Sequence, residues 1–452
     1  MLLIFRQKFS TIFAMKQVIG EILREFYENG VPQDVKGRHL DFVEKKRTAT
    51  VVMGMRRTGK TYVTYRRIQE LLDEGIELER IVQINFDDER FRGLKVDDLH
   101  LIGEVHAEMF PDAASKQCWY FLDELQNIAG WEKYARRLLE SSRVQLCLTG
   151  SSSKLLSKEI ATEMRGRSLE IEVFPLSFSE FLLFNGVFAK IPVAPFSSVT
   201  AGRIRNAFSK YFEMGGFPDV QSDSPRIRTK TLQEYVDAVV YRDIIERHDI
   251  TSVQSLRYTL DYILCNYARK ASIRSISGVL KNLGFSDNRE NVADYLSYLN
   301  DAYLIYPVPL RTDSLAVRRT NPGKYYVIDV GLLRAMKPNT DRDRGWLLEN
   351  LVFMMLRRVD NRIEYYLTKR GEEVDFIVTD KITGQRRLIQ VAWDLSDAST
   401  VKREATALVN AAAETGIDSK TIITWDNECS IEGGIGVVPI WKWALNNGAI
   451  SS

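Results

Sequence analysis

The amino-acid sequence predicts an α/β chain: a parallel, doubly wound sheet built round a phosphate-binding loop, followed by a helical region and a second α/β domain. Three observations carry this. Gly54-Met55-Arg56-Arg57-Thr58-Gly59-Lys60-Thr61 fits the pattern G-x-x-x-x-G-K-[ST] at every fixed position. An apolar run, Cys118 to Leu122, ends in the adjacent acids Asp123 and Glu124. Strand-like runs at 48–53, 81–86, 118–122, 144–149 and 169–174 are mostly separated by helical patterns, which is how a parallel sheet reads.

The octet sits where such a loop works. Thr50-Val51-Val52-Met53 is β-branched and apolar and leads in as a strand, and Tyr62 to Leu72 leads out as a helix. Glycines let backbone N–H groups turn inward around an anion, and the helix offers the positive end of its dipole. The candidate nucleotide contacts are Gly54, Met55, Arg56, Arg57, Thr58, Gly59, Lys60, Thr61 and Tyr62. Lys60 would reach the β- and γ-phosphates, and the Thr61 hydroxyl would ligate Mg²⁺. The bland alternative is a chance match on a basic turn; the agreement of loop and context weighs against it.

The acid pair strengthens the case. Acid at the C-terminal tip of a parallel strand lies beside the phosphate loop. Asp123 would hold Mg²⁺, partly through its water shell, and Glu124 would orient and deprotonate the attacking water. Acids cap many strands, so the pair alone is a weak signal; it gains force from the loop that precedes it. The second carboxylate separates the chain from kinase-like and GTPase-like readings.

Composition sets the frame. The chain has 452 residues, enough for two to four domains. Its 62 basic and 60 acidic residues give a net charge of +2, no global pull toward nucleic acid. Cys118, Cys147, Cys265 and Cys429 are far apart with no C-x-x-C, so a reduced, cytoplasmic compartment is expected. The four histidines have no metal spacing, which argues against zinc. Met1 to Phe5 is apolar, but the charges that follow interrupt it and no small-residue cleavage site appears. No run is long and apolar enough for a membrane span. The helical pattern improves after Met15, which makes Met15 a candidate start.

Along the chain, residues 15–29 read as an amphipathic helix with Val18, Ile19, Ile22, Leu23 and Phe26 on one side. Trp131 to Leu139 is a second helix. The run 144–149 opens into Thr149-Gly150-Ser151-Ser152-Ser153. Thr149 or Ser151 at this tip would hydrogen-bond the attacking water and sense the γ-phosphate; an ordinary turn and helix cap reads equally well. A guanidinium at Arg165 or Arg167 would stabilise transition-state charge, on this chain's nucleotide or a neighbouring subunit's; a surface ion pair has similar weight.

These segments, with Leu122-Asp123-Glu124-Leu125-Gln126, Gly166-Arg167, Phe174-Pro175-Leu176-Ser177-Phe178-Ser179-Glu180-Phe181, Gly215-Gly216-Phe217-Pro218 and Tyr241-Arg242-Asp243-Ile244, resemble a prokaryotic group of AAA-type P-loop ATPases. The resemblance runs from about residue 30 to 425. It implies an ATPase core, a helical lid, a winged-helix segment and a restriction-endonuclease-like domain of unknown function. The boundaries that follow are 1–30 for an N-terminal helical segment, 31–190 for the core, 191–265 for the lid or linker, 266–335 for the winged helix and 336–452 for the last domain.

The later residues give their own support. Thr231 to Asp249 has Leu232, Val236, Val239 and Val240 at helical spacing, with Arg242 and Asp243 interrupting the stripe. Residues 270–310 read as helix-turn-helix: Ile273, Ile276, Val279 and Leu280 form one face, and Asp287 and Glu290 would make a capping box for a second helix. That helix carries mostly acids, with Arg289 as its one base, so packing or protein contact is as good a reading as DNA binding.

Residues 345–395 read as helix, strand, strand, strand, an order that resembles restriction-endonuclease-like nucleases. Glu349 and Asp375 match two of that group's acids. Gln390 stands where the third belongs and Ala392 where a lysine belongs. Metal-assisted cleavage would lose a ligand and its positive partner, so this domain is expected to be degenerate and inactive.

The leading expectation is an ATP-binding and ATP-hydrolysing AAA-type switch or motor using ATP and Mg²⁺. The alternative is a nucleotide-gated DNA- or RNA-binding protein with little turnover. An active ATP-dependent nuclease ranks third. The partners in view are ATP, DNA or RNA in the alternative reading, and further copies of the chain; no membrane partner is expected.

Overall fold

The computed structural model describes residues 2–33, 35–36, 38, 42–151, 166–285, 288–314, 317, 321–337, 343–359 and 361–446. The chain divides into two compact units, Met1–Val173 and Phe174–Ser452.

In the first unit five strands form one parallel sheet: β1 (Ala49–Met53), β2 (Ile81–Asn85), β3 (Cys118–Asp123), β4 (Val144–Gly150) and β5 (Ser168–Glu172), in the order β2-β3-β4-β1-β5. The expected strands are all present, shifted by a residue or two. Strands β1 and β3 are buried along their whole length, as a sheet covered on both faces requires. Strand β4 lies between β1 and β3, with Val52 beside Thr149 and Leu122 beside Leu148. The loop after β1 and the acids at the tip of β3 therefore lie at the same edge of the sheet, one strand apart.

Helix α1 (Leu2–Asn29) begins earlier than the 15–29 pattern suggests and buries Ile19, Ile22, Leu23 and Phe26. Helix α2 (Lys60–Asp73) buries Val63, Ile68 and Leu71 against Val52, Trp119 and Phe121. Each such aliphatic side chain contributes about 2 kcal/mol, and together they fix the helix whose first turn faces the loop. Helices α3 (His100–Met109) and α4 (Trp131–Glu140) complete the layers.

The second unit opens with α5 (Phe178–Phe184), α6 (Ser198–Met214) and α7 (Pro225–Ala238). Ser177 and Glu180 cap α5 reciprocally: Ser177 N–H donates to Glu180 Oε2 at 2.7 Å, and Glu180 N–H to Ser177 Oγ at 3.2 Å. The Gly215-Gly216 pair also has a structural cause. A Cβ on Gly215 would lie 2.0 Å from Asp329 Oδ1, and one on Gly216 would lie 2.3 Å from the Leu176 carbonyl oxygen. Gly216 N–H donates to Asp329 Oδ2 at 2.7 Å.

The helix expected over 231–249 is not uniform: after α7 the backbone widens into a π-helical stretch, Val239–Ile245. That extra residue per turn buries both Val239 and Val240 together with Asp243, while Arg242 is exposed. A 3.6-residue pattern does not foresee it.

Next come α8 (Val253–Cys265), β6 (Lys270–Ala271), α9 (Ile273–Asn282), α10 (Arg289–Asp301), β7 (Ile305–Val308) and β8 (Gly323–Val327), with a three-stranded sheet in the order β6-β8-β7. The cap of α10 is Asn288, whose side chain accepts from Asn291 N–H at 2.9 Å. Asp287, the cap expected from sequence, lies outside the described residues. Val279 points to solvent; Ile276 and Leu280 carry the buried face of α9.

The chain ends with α11 (Val330–Met336), α12 (Arg344–Arg357), β9 (Asn361–Leu367), β10 (Glu373–Asp380), β11 (Arg386–Ala392), α13 (Ala398–Thr415), β12 (Lys420–Thr424), β13 (Cys429–Ile431) and β14 (Ile435–Pro439). These strands form a mixed six-stranded sheet in the order β13-β14-β12-β11-β10-β9. Among the described residues no helix is long and apolar enough to cross a membrane.

Candidate functional site

The loop between β1 and α2 is shaped by three residues with positive φ: Gly54 at 151°, Arg57 at 66° and Gly59 at 94°. Gly54 has no room for a side chain, because a Cβ there would lie 2.3 Å from the Val173 carbonyl oxygen. Arg57 adopts the left-handed region without being glycine, which stores roughly 1–3 kcal/mol of strain. The loop is braced from within: Thr58 Oγ1 donates to the Met55 carbonyl at 2.9 Å, and Arg38 donates to the Thr58 carbonyl at 2.7 Å. Lys60 Nζ donates to the Gly54 and Met55 carbonyls at 3.1 and 3.2 Å, which curls its ammonium back over the loop.

The acids of β3 meet this loop. Thr61 Oγ1 donates to Asp123 Oδ2 at 2.8 Å. Thr149, at the tip of the intervening strand, donates its hydroxyl hydrogen to Asp123 Oδ1 and accepts from Glu124 N–H at 3.1 Å. Glu124 stands in the left-handed region with φ 53°, so its carboxylate turns back toward Lys60, 3.9 Å away. Gln126 donates its amide to the other Glu124 oxygen, and Ser151 Oγ lies 3.5 Å from that atom. Burial pushes the Glu124 carboxyl above its usual range, and Lys60 pulls against that shift.

Lys60, Thr61, Asp123, Glu124, Thr149 and Ser151 thus converge at one sheet edge. Met55 and Thr58 are buried in the loop; Arg56 is half-buried, and Arg57 and Tyr62 are exposed. Arg167 does not join them. Its carbonyl accepts from Ala49 N–H at 2.9 Å, at the opposite end of β1, roughly 13 Å away for four strand residues. A residue entering a parallel strand necessarily lies at the far edge from the loop that leaves its neighbour. Arg165 falls outside the described residues. Gln126 is the contact that sequence reasoning passed over, although it lies in the same Leu122–Gln126 segment.

A second polar centre lies in the C-terminal sheet. Glu349 on α12 and Asp375 on β10 line one cleft. Gln390 Oε1 accepts from Asp375 N–H at 3.1 Å, and its amide donates to Glu404 Oε2 at 2.7 Å. Lys324 of β8, which nothing in the sequence singled out, donates to Glu349 Oε1 at 2.8 Å and Asp375 Oδ1 at 3.2 Å, with Glu373 Oε1 2.7 Å away. Burial pushes Glu349 and Asp375 upward while Lys324 draws both back. Burial also raises Glu373, but Lys324 and Lys270 outweigh it and hold that carboxyl below the usual range.

Comparison with known proteins places parts of the sequence in families. The AAA domain model matches residues 46–182, and the Domain of unknown function DUF8612 model matches residues 205–343. The uncharacterized protein MJ1544 of Methanocaldococcus jannaschii is 32% identical over 449 residues, covering 96% of this chain and 97% of that one. An uncharacterized protein of Haemophilus influenzae is 27% identical over 377 residues, covering 82% and 87%. Among solved structures, C. elegans PCH-2 aligns with 63% of this chain and 68% of its own at 12% identity, with a TM-score of 0.25, too low to argue from.

Proposed function

Because the chain belongs to the family of the Methanocaldococcus jannaschii protein MJ1544 and carries an AAA domain over residues 46–182, we propose that it binds ATP with Mg²⁺ and hydrolyses it as a molecular switch or motor. One observation carries the reading: the Thr61 hydroxyl and the Asp123 carboxylate meet at 2.8 Å beside the phosphate loop, with Glu124 held next to them. Two protein oxygens so placed fit Mg²⁺: Thr61 and Asp123 would hold the ion, and it would offset negative charge on the β- and γ-phosphates.

The chain's own residues supply the rest. Backbone N–H groups of the loop and the first turn of α2 cradle the phosphates. Lys60 releases the Gly54 and Met55 carbonyls and turns its ammonium to the β- and γ-oxygens. Glu124 orients the attacking water and accepts its proton, which requires the ionised carboxylate; Lys60 favours that form against burial. Thr149 holds Asp123 and the Glu124 backbone in register, and Ser151 lies within reach of the same water. Arg167, at the far edge, would meet a nucleotide only in another copy of the chain.

The boundaries 31–190, 191–265, 266–335 and 336–452 serve as the working division into core, lid, winged helix and degenerate restriction-endonuclease-like domain. The order helix, strand, helix, helix, strand, strand over Val253–Val327 supports the winged-helix reading. A nucleic-acid-binding alternative draws on one groove of that segment, where Arg274 and Arg289 are joined by Glu290. Steady-state ATP turnover of the full chain, with and without DNA or RNA, tests both: no hydrolysis above background, with nucleotide bound, would favour the binding-module alternative and reject the hydrolase.

A further inference from the structure

The residues of the C-terminal centre do not fit the divalent metal that a nuclease-like site implies. We infer instead that this centre carries its own cation: the Lys324 ammonium is the permanent counter-ion of Glu349, Glu373 and Asp375 and takes the place of a metal. The inference concerns a site far along the chain from the phosphate loop and does not depend on ATP hydrolysis.

The position of Lys324 is dictated by the strand that carries it. Side chains alternate along β8, so Lys324 and Tyr326 share one face, and both reach Glu349 Oε1, at 2.8 and 2.7 Å. Tyr326 stacks on Phe353, one helical turn past Glu349, with ring centroids 4.3 Å apart. Asn350 then closes on the Val327 backbone, accepting from its N–H and donating to its carbonyl, each at 2.8 Å. Four hydrogen bonds and one ring stack hold β8 to α12, and the lysine side chain is only 3% exposed.

Its charge is matched by more than one acid. Nζ lies 2.8, 2.7 and 3.2 Å from Glu349, Glu373 and Asp375. Lys270, paired with Lys324 across the β6–β8 ladder, takes the other oxygen of Glu373 at 2.6 Å. Two like charges opposed across a ladder repel; the shared carboxylate between them removes that cost.

The remaining donors point the same way. The second Asp375 oxygen accepts from Val391 N–H at 2.9 Å. Glu404 is held by Gln390 at 2.7 Å and Arg403 at 2.6 Å. Gln390 in place of an acid lowers the negative charge that one ammonium must balance, and Ala392 brings no competing cation to the C-terminal tip of β11. A buried carboxylate needs a partner of opposite charge or a metal, and here the protein supplies it. Among the described residues, no group of three or more His, Cys, Asp or Glu is arranged to hold a metal ion. Glu349 and Asp375 nonetheless line an open cleft, so a metal from solvent has a path to them.

The test is Mn²⁺ uptake by the full chain without nucleotide, read from the free-ion signal in electron paramagnetic resonance, with and without Asp375→Asn. That comparison separates this centre from the phosphate loop. The wild type should show no Asp375-dependent uptake up to about 1 mM. Lys324→Met should gain one Mn²⁺ per chain, at least about tenfold tighter than wild type, and the double variant with Asp375→Asn should lose it. Lys324→Arg, which keeps the charge, should gain nothing. Asp375-dependent uptake by the wild type would overturn the inference, as would a folded Lys324→Met that gains no uptake. Should Lys324→Met fail to fold, the wild-type comparison still decides.

Discussion

The Thr61 hydroxyl and the Asp123 carboxylate, 62 residues apart, meet at 2.8 Å across an intervening strand. They join the first helical turn after the loop to the tip of β3. If that contact marks the Mg²⁺ position, Asp123→Asn should keep the fold and lower Mg-dependent ATP turnover by roughly 100-fold or more. Thr61→Ser should retain most of it. Steady-state phosphate release at fixed ATP and varied Mg²⁺ checks both.

Lys60 and Glu124 should separate binding from chemistry. Lys60→Ala removes the cation aimed at the phosphates and should weaken ATP binding at least about tenfold in calorimetry. Glu124→Gln removes the base but preserves shape, so binding should persist while turnover falls about 10²–10⁴-fold. Normal turnover by Glu124→Gln would reject its assignment as base.

Thr149→Val deletes the hydroxyl that links Asp123 to the Glu124 backbone. The Glu124 N–H would be left buried without its acceptor, a loss of about 1–3 kcal/mol. Turnover should fall more than ATP affinity, and Thr149→Ser should recover both. A Thr149→Val enzyme with wild-type turnover would reduce the residue to a strand cap.

Gly54→Ala should fail for a steric reason. Its Cβ would lie 2.3 Å from a backbone oxygen, at a φ of 151°. The loop must open, so nucleotide binding should be lost and the thermal midpoint lowered. Retention of wild-type affinity by this variant would contradict the loop geometry.

His106 provides a pH test independent of catalysis. It is buried, and Nε2 donates to the Glu79 carbonyl at 2.7 Å. Burial holds its pKa below the ordinary 6.5, with the carbonyl contact opposing. The unfolded chain therefore binds the proton more readily, and the stability this residue contributes is present above 6.5 and lost as pH falls. Urea unfolding should show a larger loss from about pH 7.5 to about pH 5.5 in the wild type than in His106→Gln. Equal losses would show that His106 ionises as freely in the fold as outside it.

What the sequence made legible is what it writes locally. The loop octet, the acid pair after β3 and the five strands are contiguous strings, and strand order then follows from crossovers that the string does not state. Thr149 was readable as a strand tip, yet its partners depend on β4 lying between β1 and β3. Arg167 reads as a candidate for this chain's nucleotide or a neighbouring subunit's; the parallel crossover puts it at the edge away from this chain's own loop. The π-helical stretch was hidden because Val239 and Val240 also satisfy an α-helical stripe. Lys324 had no local signal at all: its partners are 25 and 51 residues away, and a lysine in a short aromatic strand reads as an edge residue.

The origin of Lys324 in β8 has a consequence for dissecting the protein. Cutting the chain near residue 336, where a boundary looks natural, would strip Glu349 and Asp375 of the ammonium that neutralises them. A fragment made that way would carry a pair of acids without their cation. The meaningful seam is set by where electrical balance is completed, and the hairpin that precedes the last sheet must travel with it.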